Sequence, residues 1–171
     1  MLLNLSKLID CPGSSVFFRH SVDLHELAFG SIRPLSESVD AEGTVRNTAG
    51  VLMLDGSVAT TLHGVCDRCA RPFERPIRLP LHAVLVTELA SERDEDQWTF
   101  LLESDCADLD DIITTTLVLN MDSKFLCRED CKGLCCKCGK DLNDGPCDCR
   151  KEADPRLAVL QQLLNKKQEE K

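Results

Sequence analysis

The sequence predicts an α+β protein: an antiparallel sheet or small barrel with one or two helices and a C-terminal cysteine-rich module. Three observations carry this. Apolar residues alternate with polar ones in runs between Val16 and Leu89, the period of half-buried strands. These runs follow one another with turn residues and no helical period between them, which suits antiparallel neighbours. The chain also holds 11 cysteines in 171 residues, seven of them between Cys127 and Cys149.

The elements follow in order. Val16-Phe17-Phe18 has strand composition, and Ser21–Arg33 is ambiguous. Val39–Val45 and Val51–Val65 read as strands joined by the turn-rich Asn47-Thr48-Ala49-Gly50. Asp55-Gly56 interrupts the second of them, as a bulge or a tighter hairpin would. Pro72–Leu89 is the clearest strand: Ile77, Leu79, Leu81, Ala83 and Leu85 alternate with Arg78, Pro80, His82 and Val84. Pro80 favours an edge or a bulge, because it cannot donate to a ladder. Cys66 and Cys69 then fall at the tip of a hairpin. Ser91–Gln97 reads as an acidic loop. Asp108 or Asp110 is a candidate cap for a helix to about Asn120, with Ile112, Ile113, Thr116 and Leu119 on its apolar stripe. Lys124–Arg150 is too rich in Cys, Gly, Asp and Asn for regular structure unaided. Asp154-Pro155 reads as the start of a second helix, with Leu157, Leu160, Leu163 and Leu164 on one face. Two regions result: residues 1–123, a sheet domain with an acidic segment at 88–111, and residues 124–171, the cysteine-rich module and C-terminal helix.

Composition excludes several function classes. No apolar run approaches the roughly 20 residues of a membrane span. The start, MLLNLSKLIDCPG, lacks the basic and apolar regions of a secretory leader, so a cytoplasmic protein with reduced thiols is expected. The net charge of −9 argues against a protein that simply coats nucleic acid. That charge is uneven: residues 124–171 carry +2 and residues 1–123 carry −11. No HExxH, phosphate-cradling glycine loop or GxSxG is present. The expectation is therefore a protein that is not an enzyme and takes no small-molecule substrate.

Cys135-x2-Cys138-x8-Cys147-x-Cys149 is the strongest chemical signal. Thiolates three residues apart grip one ion from a tight turn, and a second pair closes a tetrahedron. Gly139 directly follows the first pair, where a positive φ lets backbone N–H groups face sulfur. Four thiolates leave no open position, so the expected zinc is structural. A second site combines Cys66-x2-Cys69 with Cys127-x3-Cys131, for one or two ions in all. The rival grouping is a single site mixing Cys127, Cys131, Cys135 and Cys138. Basic residues flank these loops: Arg68, Arg71, Arg75 and Arg78 near the hairpin tip, and Arg128, Lys132, Lys137 and Lys140 in the cluster. Arg68, Arg71, Arg75, Lys132, Lys137 and Lys140 are candidate RNA contacts. Alternatively they offset the two negative charges of a tetrathiolate zinc.

Three blocks, CDRCARPFERPI at 66–77, CREDCKGLCCKCGKDLNDGPCDC at 127–149 and DPRLAVLQQLL at 154–164, together resemble the YceD family across essentially the whole chain. The resemblance implies a bacterial or plastid protein associated with accumulation of the large-subunit ribosomal RNA. It implies a non-enzymatic factor that binds a precursor large ribosomal subunit, through RNA or protein, or an assembly factor. Some members carry the CxxC block without the complete C-terminal cluster, which favours a separable first site. The chain departs from the family pattern at Cys136, where a proline usually follows the cysteine, and at Leu119-Asn120-Met121, which lacks an expected proline. The other reading of paired CxxC and CxC motifs is a redox-switched zinc chaperone. No feature of the sequence sets the oligomeric state.

Overall fold

Period-two alternation becomes a meander of long strands. The structure, a computed structural model, describes residues 1–33, 35, 37–88 and 98–149. They comprise β1 (Leu2–Asn4), α1 (Ser6–Ile9), β2 (Ser15–Val22), β3 (Val39–Thr48), β4 (Val51–Val65), β5 (Pro72–Val86), β6 (Thr99–Leu101), β7 (Cys106–Asp108) and α2 (Leu109–Asn120). The main sheet has the order β2-β3-β4-β5-β6, and β1 pairs with β7 in a second, two-stranded sheet. Strands β2 to β5 are antiparallel. β6 runs parallel to β5 at Val84–Val86 only. Among the described residues β2 and β6 do not pair, so the sheet is open rather than a barrel. The predicted acidic loop Ser91–Gln97, the last residue of the predicted strand, Leu89, and the predicted helix from Asp154 lie outside the described residues.

The buried face of the sheet is the one the alternation predicts. Val39, Ala41 and Val45 of β3, Leu52, Leu54, Val58 and Leu62 of β4, and Leu81, Ala83 and Leu85 of β5 are buried. They form one core with Leu5, which precedes α1, and with Leu8, Ile112, Ile113 and Leu117 from the helices. Each buried Val, Leu or Ile among them contributes about 1.5–3 kcal/mol when withdrawn from water. The N-cap of α2 is Asp108, whose carboxylate accepts from the Asp110 N–H. Leu117, not Leu119, faces the core: Leu119 is 47% exposed. Thr116 fits the stripe because its hydroxyl donates to the Ile112 carbonyl at 2.8 Å.

Three turn and glycine positions set the register. Thr48 pairs with Val51, so Ala49 and Gly50 form a two-residue hairpin loop with φ of 53° and 94°. Two positive φ values are the signature of a type I′ turn, whose twist matches the strands. Asn47, buried beside it, donates to the carbonyls of Leu8 at 2.8 Å and Ile9 at 3.0 Å. At Asp55-Gly56 the strand runs straight through, contrary to the expected bulge or hairpin. Gly56 faces Gly43 across the ladder, and a Cβ there would lie 2.3 Å from the Glu42 carbonyl oxygen. Glycine is needed for a close approach of two backbones. Pro80 lies where β5 has β4 as a neighbour and β6 does not reach, the edge position that its missing N–H requires.

The chain divides into two compact units, Met1–Cys131 and Lys132–Lys171. The first contains both sheets and α2. Of the second, the described part runs to Cys149 and has loop structure with a single bridge, Leu134 to Asp141.

Candidate metal centres

Strands β4 and β5 pair along their full length, from Leu52–Leu85 to Val65–Pro72. That ladder carries the Cys66–Cys69 turn at its end. The turn is closed by Cys66 N–H to the Arg71 carbonyl at 2.9 Å and Ala70 N–H to the Cys66 carbonyl at 2.9 Å. Ala70 takes a φ of 57° to permit this. The Cys127 segment is brought alongside by a reciprocal pair of bonds. Asp67 N–H donates to the Phe125 carbonyl at 2.8 Å, and Phe125 N–H donates to the Asp67 carboxylate at 2.7 Å. Ser31 donates to the other carboxylate oxygen. These two donors hold the Asp67 carboxyl below its usual range, Ser31 first and Phe125 second. Arg68 adds a bond from its guanidinium to the Cys131 carbonyl at 2.9 Å. Asp67 is the positioning residue that sequence reasoning missed. Its signal was faint, an Asx residue inside a CxxC turn.

The result is a cluster of Cys66, Cys69, Cys127 and Cys131, with the four Sγ atoms within 4.8 Å of one another. Cys66 and Cys131 sulfurs are 3.8 Å apart, and those of Cys69 and Cys127 3.6 Å. Disulfides would need about 2.05 Å, and none is formed. A tetrahedral ion with bonds of about 2.3 Å to sulfur would space its ligands about 3.8 Å apart. The donor set fits such an ion. Phe73 and Leu126 pack against the cluster, and Cys66, Cys69 and Cys131 are at most 4% exposed.

Cys135, Cys138, Cys147 and Cys149 form a second cluster by the same criterion. Its turn repeats the first almost bond for bond. Cys135 N–H donates to the Lys140 carbonyl at 2.8 Å and Gly139 N–H to the Cys135 carbonyl at 2.9 Å, with Gly139 at φ 71°. Gly139 thus stands where Ala70 stands in the first turn. Lys137 N–H points at the Cys135 sulfur at 3.4 Å. The loop between the pairs is braced by Lys140 Nζ to the Pro146 carbonyl at 2.8 Å, by Asn143 N–H to Asp141 at 2.8 Å, and by Lys132 N–H to Asn143 at 2.8 Å. The mixed grouping of Cys127, Cys131, Cys135 and Cys138 is not what the structure forms.

The electrostatics of the two clusters match. Burial pushes the Cys66 thiol up, but N–H groups of Cys127, Cys69 and Arg68 outweigh it and bring it down to about 6. N–H groups of Cys138 and Lys137 bring Cys135 down to about 6. Cys127 is pushed up to about 12, by burial first and then by Cys69, Cys66 and Cys131. Cys149 is pushed up to about 12 by its contact with Cys138, then by burial. Each cluster therefore stabilises a first thiolate with backbone dipoles and resists the last. A bound cation would favour ionisation of all four near neutral pH.

Of the basic candidates, Arg68, Arg71, Lys132, Lys137 and Lys140 are exposed. Arg75 pairs with Asp122 at 2.8 Å, and Arg68 and Lys140 make the internal bonds given above. Among the described residues no helix is long and apolar enough to cross a membrane.

The model of the family described as large ribosomal RNA subunit accumulation protein YceD matches residues 54–164. Uncharacterized proteins of Mycobacterium tuberculosis and Mycobacterium bovis are 27% identical over 128 residues, 74% of this chain and 62% of theirs. The chloroplastic large ribosomal RNA subunit accumulation protein YCED homolog 1 of Arabidopsis thaliana is 26% identical over 185 residues, covering 91% of this chain and 56% of that one. Its maize counterpart is 29% identical over 148 residues, 68% and 49% respectively. The chain thus spans about half to three fifths of the length of these relatives. No solved structure matches it. The matched residues include β4 from Leu54 onward, β5, α2 and every cysteine of both clusters, well over half of the chain, and this chain belongs to the YceD family.

Proposed function

We propose that this protein is a non-enzymatic, cytoplasmic factor that promotes accumulation of large-subunit ribosomal RNA and assembly of the large ribosomal subunit. It does so by binding precursor particles or one of their assembly factors, with a structural zinc in each cysteine cluster. The observation that carries the reading is the pair of closed four-sulfur clusters inside the matched family region. Four thiolates saturate a tetrahedral ion and leave no position for a substrate, so the metal shapes a surface rather than performing a reaction. Exposed Arg68, Arg71, Lys132, Lys137 and Lys140 frame the two turns. A guanidinium has five N–H donors, so the internal bond of Arg68 leaves others for phosphate. The acidic segment 88–111 opposes indiscriminate RNA binding and confines contact to these loops.

Affinity purification from growing cells, followed by sequencing of the co-purified RNA, tests this. Precursor large-subunit RNA should be enriched over mature ribosomal RNA. Recovery of no ribosomal RNA or ribosomal protein would refute the reading. The alternative, a redox-switched zinc chaperone, draws support from the exposed thiols Cys136 and Cys138. It requires suppression of client aggregation after mild peroxide treatment.

A further inference from the structure

The two clusters share their ligand type and turn geometry, yet they sit in opposite surroundings. We propose that the Cys135–Cys149 cluster is a kinetically exchangeable site for a soft divalent cation, whereas the Cys66–Cys131 cluster holds its ion permanently. This rests on the zinc reading above and adds a division between the sites.

Two observations carry it. The first is access. A metal leaves a thiolate site when an incoming ligand reaches the ion or when one sulfur swings away. In the first cluster Cys66, Cys69 and Cys131 are 2%, 4% and 2% exposed, under Phe73 and Leu126. In the second, Cys138 is exposed and its three partners are partly so.

The second observation is anchoring. The first cluster joins segments 58 and 65 residues apart in sequence. Both are fixed independently of any ion, one by the β4–β5 ladder and one by the Asp67–Phe125 bonds. A sulfur that detaches there stays in place and rebinds. The second cluster draws all four sulfurs from 15 residues of loop. The leucine within them is Leu142, half-buried, and Leu134, directly before them, is 41% exposed. Among the described residues such a segment has little apolar burial to hold it once a ligand is lost, so opening costs little and exposes the ion.

The test uses the full chain loaded with zinc and challenged with excess EDTA at neutral pH, with retained metal measured after rapid desalting. Release should be biphasic, with one equivalent leaving at least about ten-fold faster than the other. Trapping with N-ethylmaleimide during the challenge assigns the phases without any variant. Cys135, Cys138, Cys147 and Cys149 should be alkylated in the fast phase, and Cys66, Cys69, Cys127 and Cys131 in the slow one. Cys138→Ser should abolish the fast phase, and Cys69→Ser should preserve it. A single phase, or alkylation of the Cys66 cluster first, overturns the division while leaving zinc binding intact. A chain that binds no zinc on titration overturns the zinc reading and this inference together.

Discussion

Exchanging the residues that follow each CxxC pair, Gly139→Ala and Ala70→Gly, should move the two clusters in opposite directions. Both positions have left-handed backbone, φ 71° at Gly139 and φ 57° at Ala70. Among the described residues a Cβ at Gly139 meets nothing within 4 Å, so Gly139→Ala introduces no clash with them, only the conformational cost of an L-residue in that region. This is about 1–2 kcal/mol, partly offset by about 0.4–1 kcal/mol because alanine restricts the unfolded chain. The net cost is about 1 kcal/mol. Folding of the 132–149 loop is coupled to metal binding, so the cost should surface as roughly five-fold weaker zinc affinity. Ala70→Gly reverses both contributions. It should raise the urea midpoint of the zinc-loaded protein by an amount worth about 0.5–1 kcal/mol. Competition with a chromophoric chelator reads the first variant and urea denaturation the second. Gly139→Asn should be milder than Gly139→Ala, since asparagine visits this region more readily. Unchanged affinity in Gly139→Ala, or a lower urea midpoint in Ala70→Gly, would refute the idea that backbone conformation at these positions governs the clusters.

Cys66→Ser and Cys127→Ser should each remove about one equivalent of zinc, and the double variant should lose little more, because ligands of one site act as a unit; elemental analysis showing independent losses would break the pairing. Thr60 is 8% exposed and its hydroxyl has no partner among the described residues, so Thr60→Val should stabilise the sheet by about 1 kcal/mol in urea denaturation. At pH 7, Cys66 and Cys135 at about 6 are largely thiolates, whereas Cys127 and Cys149 at about 12 are thiols. Zinc uptake should therefore release at least one proton per ion, and affinity should fall as pH falls. Titration in weak buffer with a pH indicator reads this, and proton-neutral binding would contradict it.

The family model's matched range, residues 54–164, contains the three blocks that carry the resemblance, but a family does not set geometry. Features that depend on near neighbours in the chain are legible from the residues alone. Alternation from Ile77 to Leu85 set which face of β5 is buried, because one residue of slip would turn every apolar side chain to water. The helix cap was legible as Asp108 or Asp110, since capping needs a carboxylate near one N–H, and the structure selects Asp108. The second cluster was legible because its four cysteines lie within 15 residues of chain, where spacing alone brings them within reach of one ion.

The tertiary structure decided whatever joins distant residues. Whether Cys127 and Cys131 close with Cys66 and Cys69 or with Cys135 and Cys138 was open from spacing. It is settled by the length of the β4–β5 ladder and the backbone exchange between Asp67 and Phe125. The three-residue strand β6 is too short to show a period, and its parallel pairing with β5 is visible only in the sheet. Gly56 looked like an interruption because one strand cannot reveal its neighbour, and only the approach of Gly43 explains it. Leu119 fell on the predicted stripe but lies in solvent, while Leu117 is fully buried. A helix carries several apolar positions, and the surface it meets selects the face that is used.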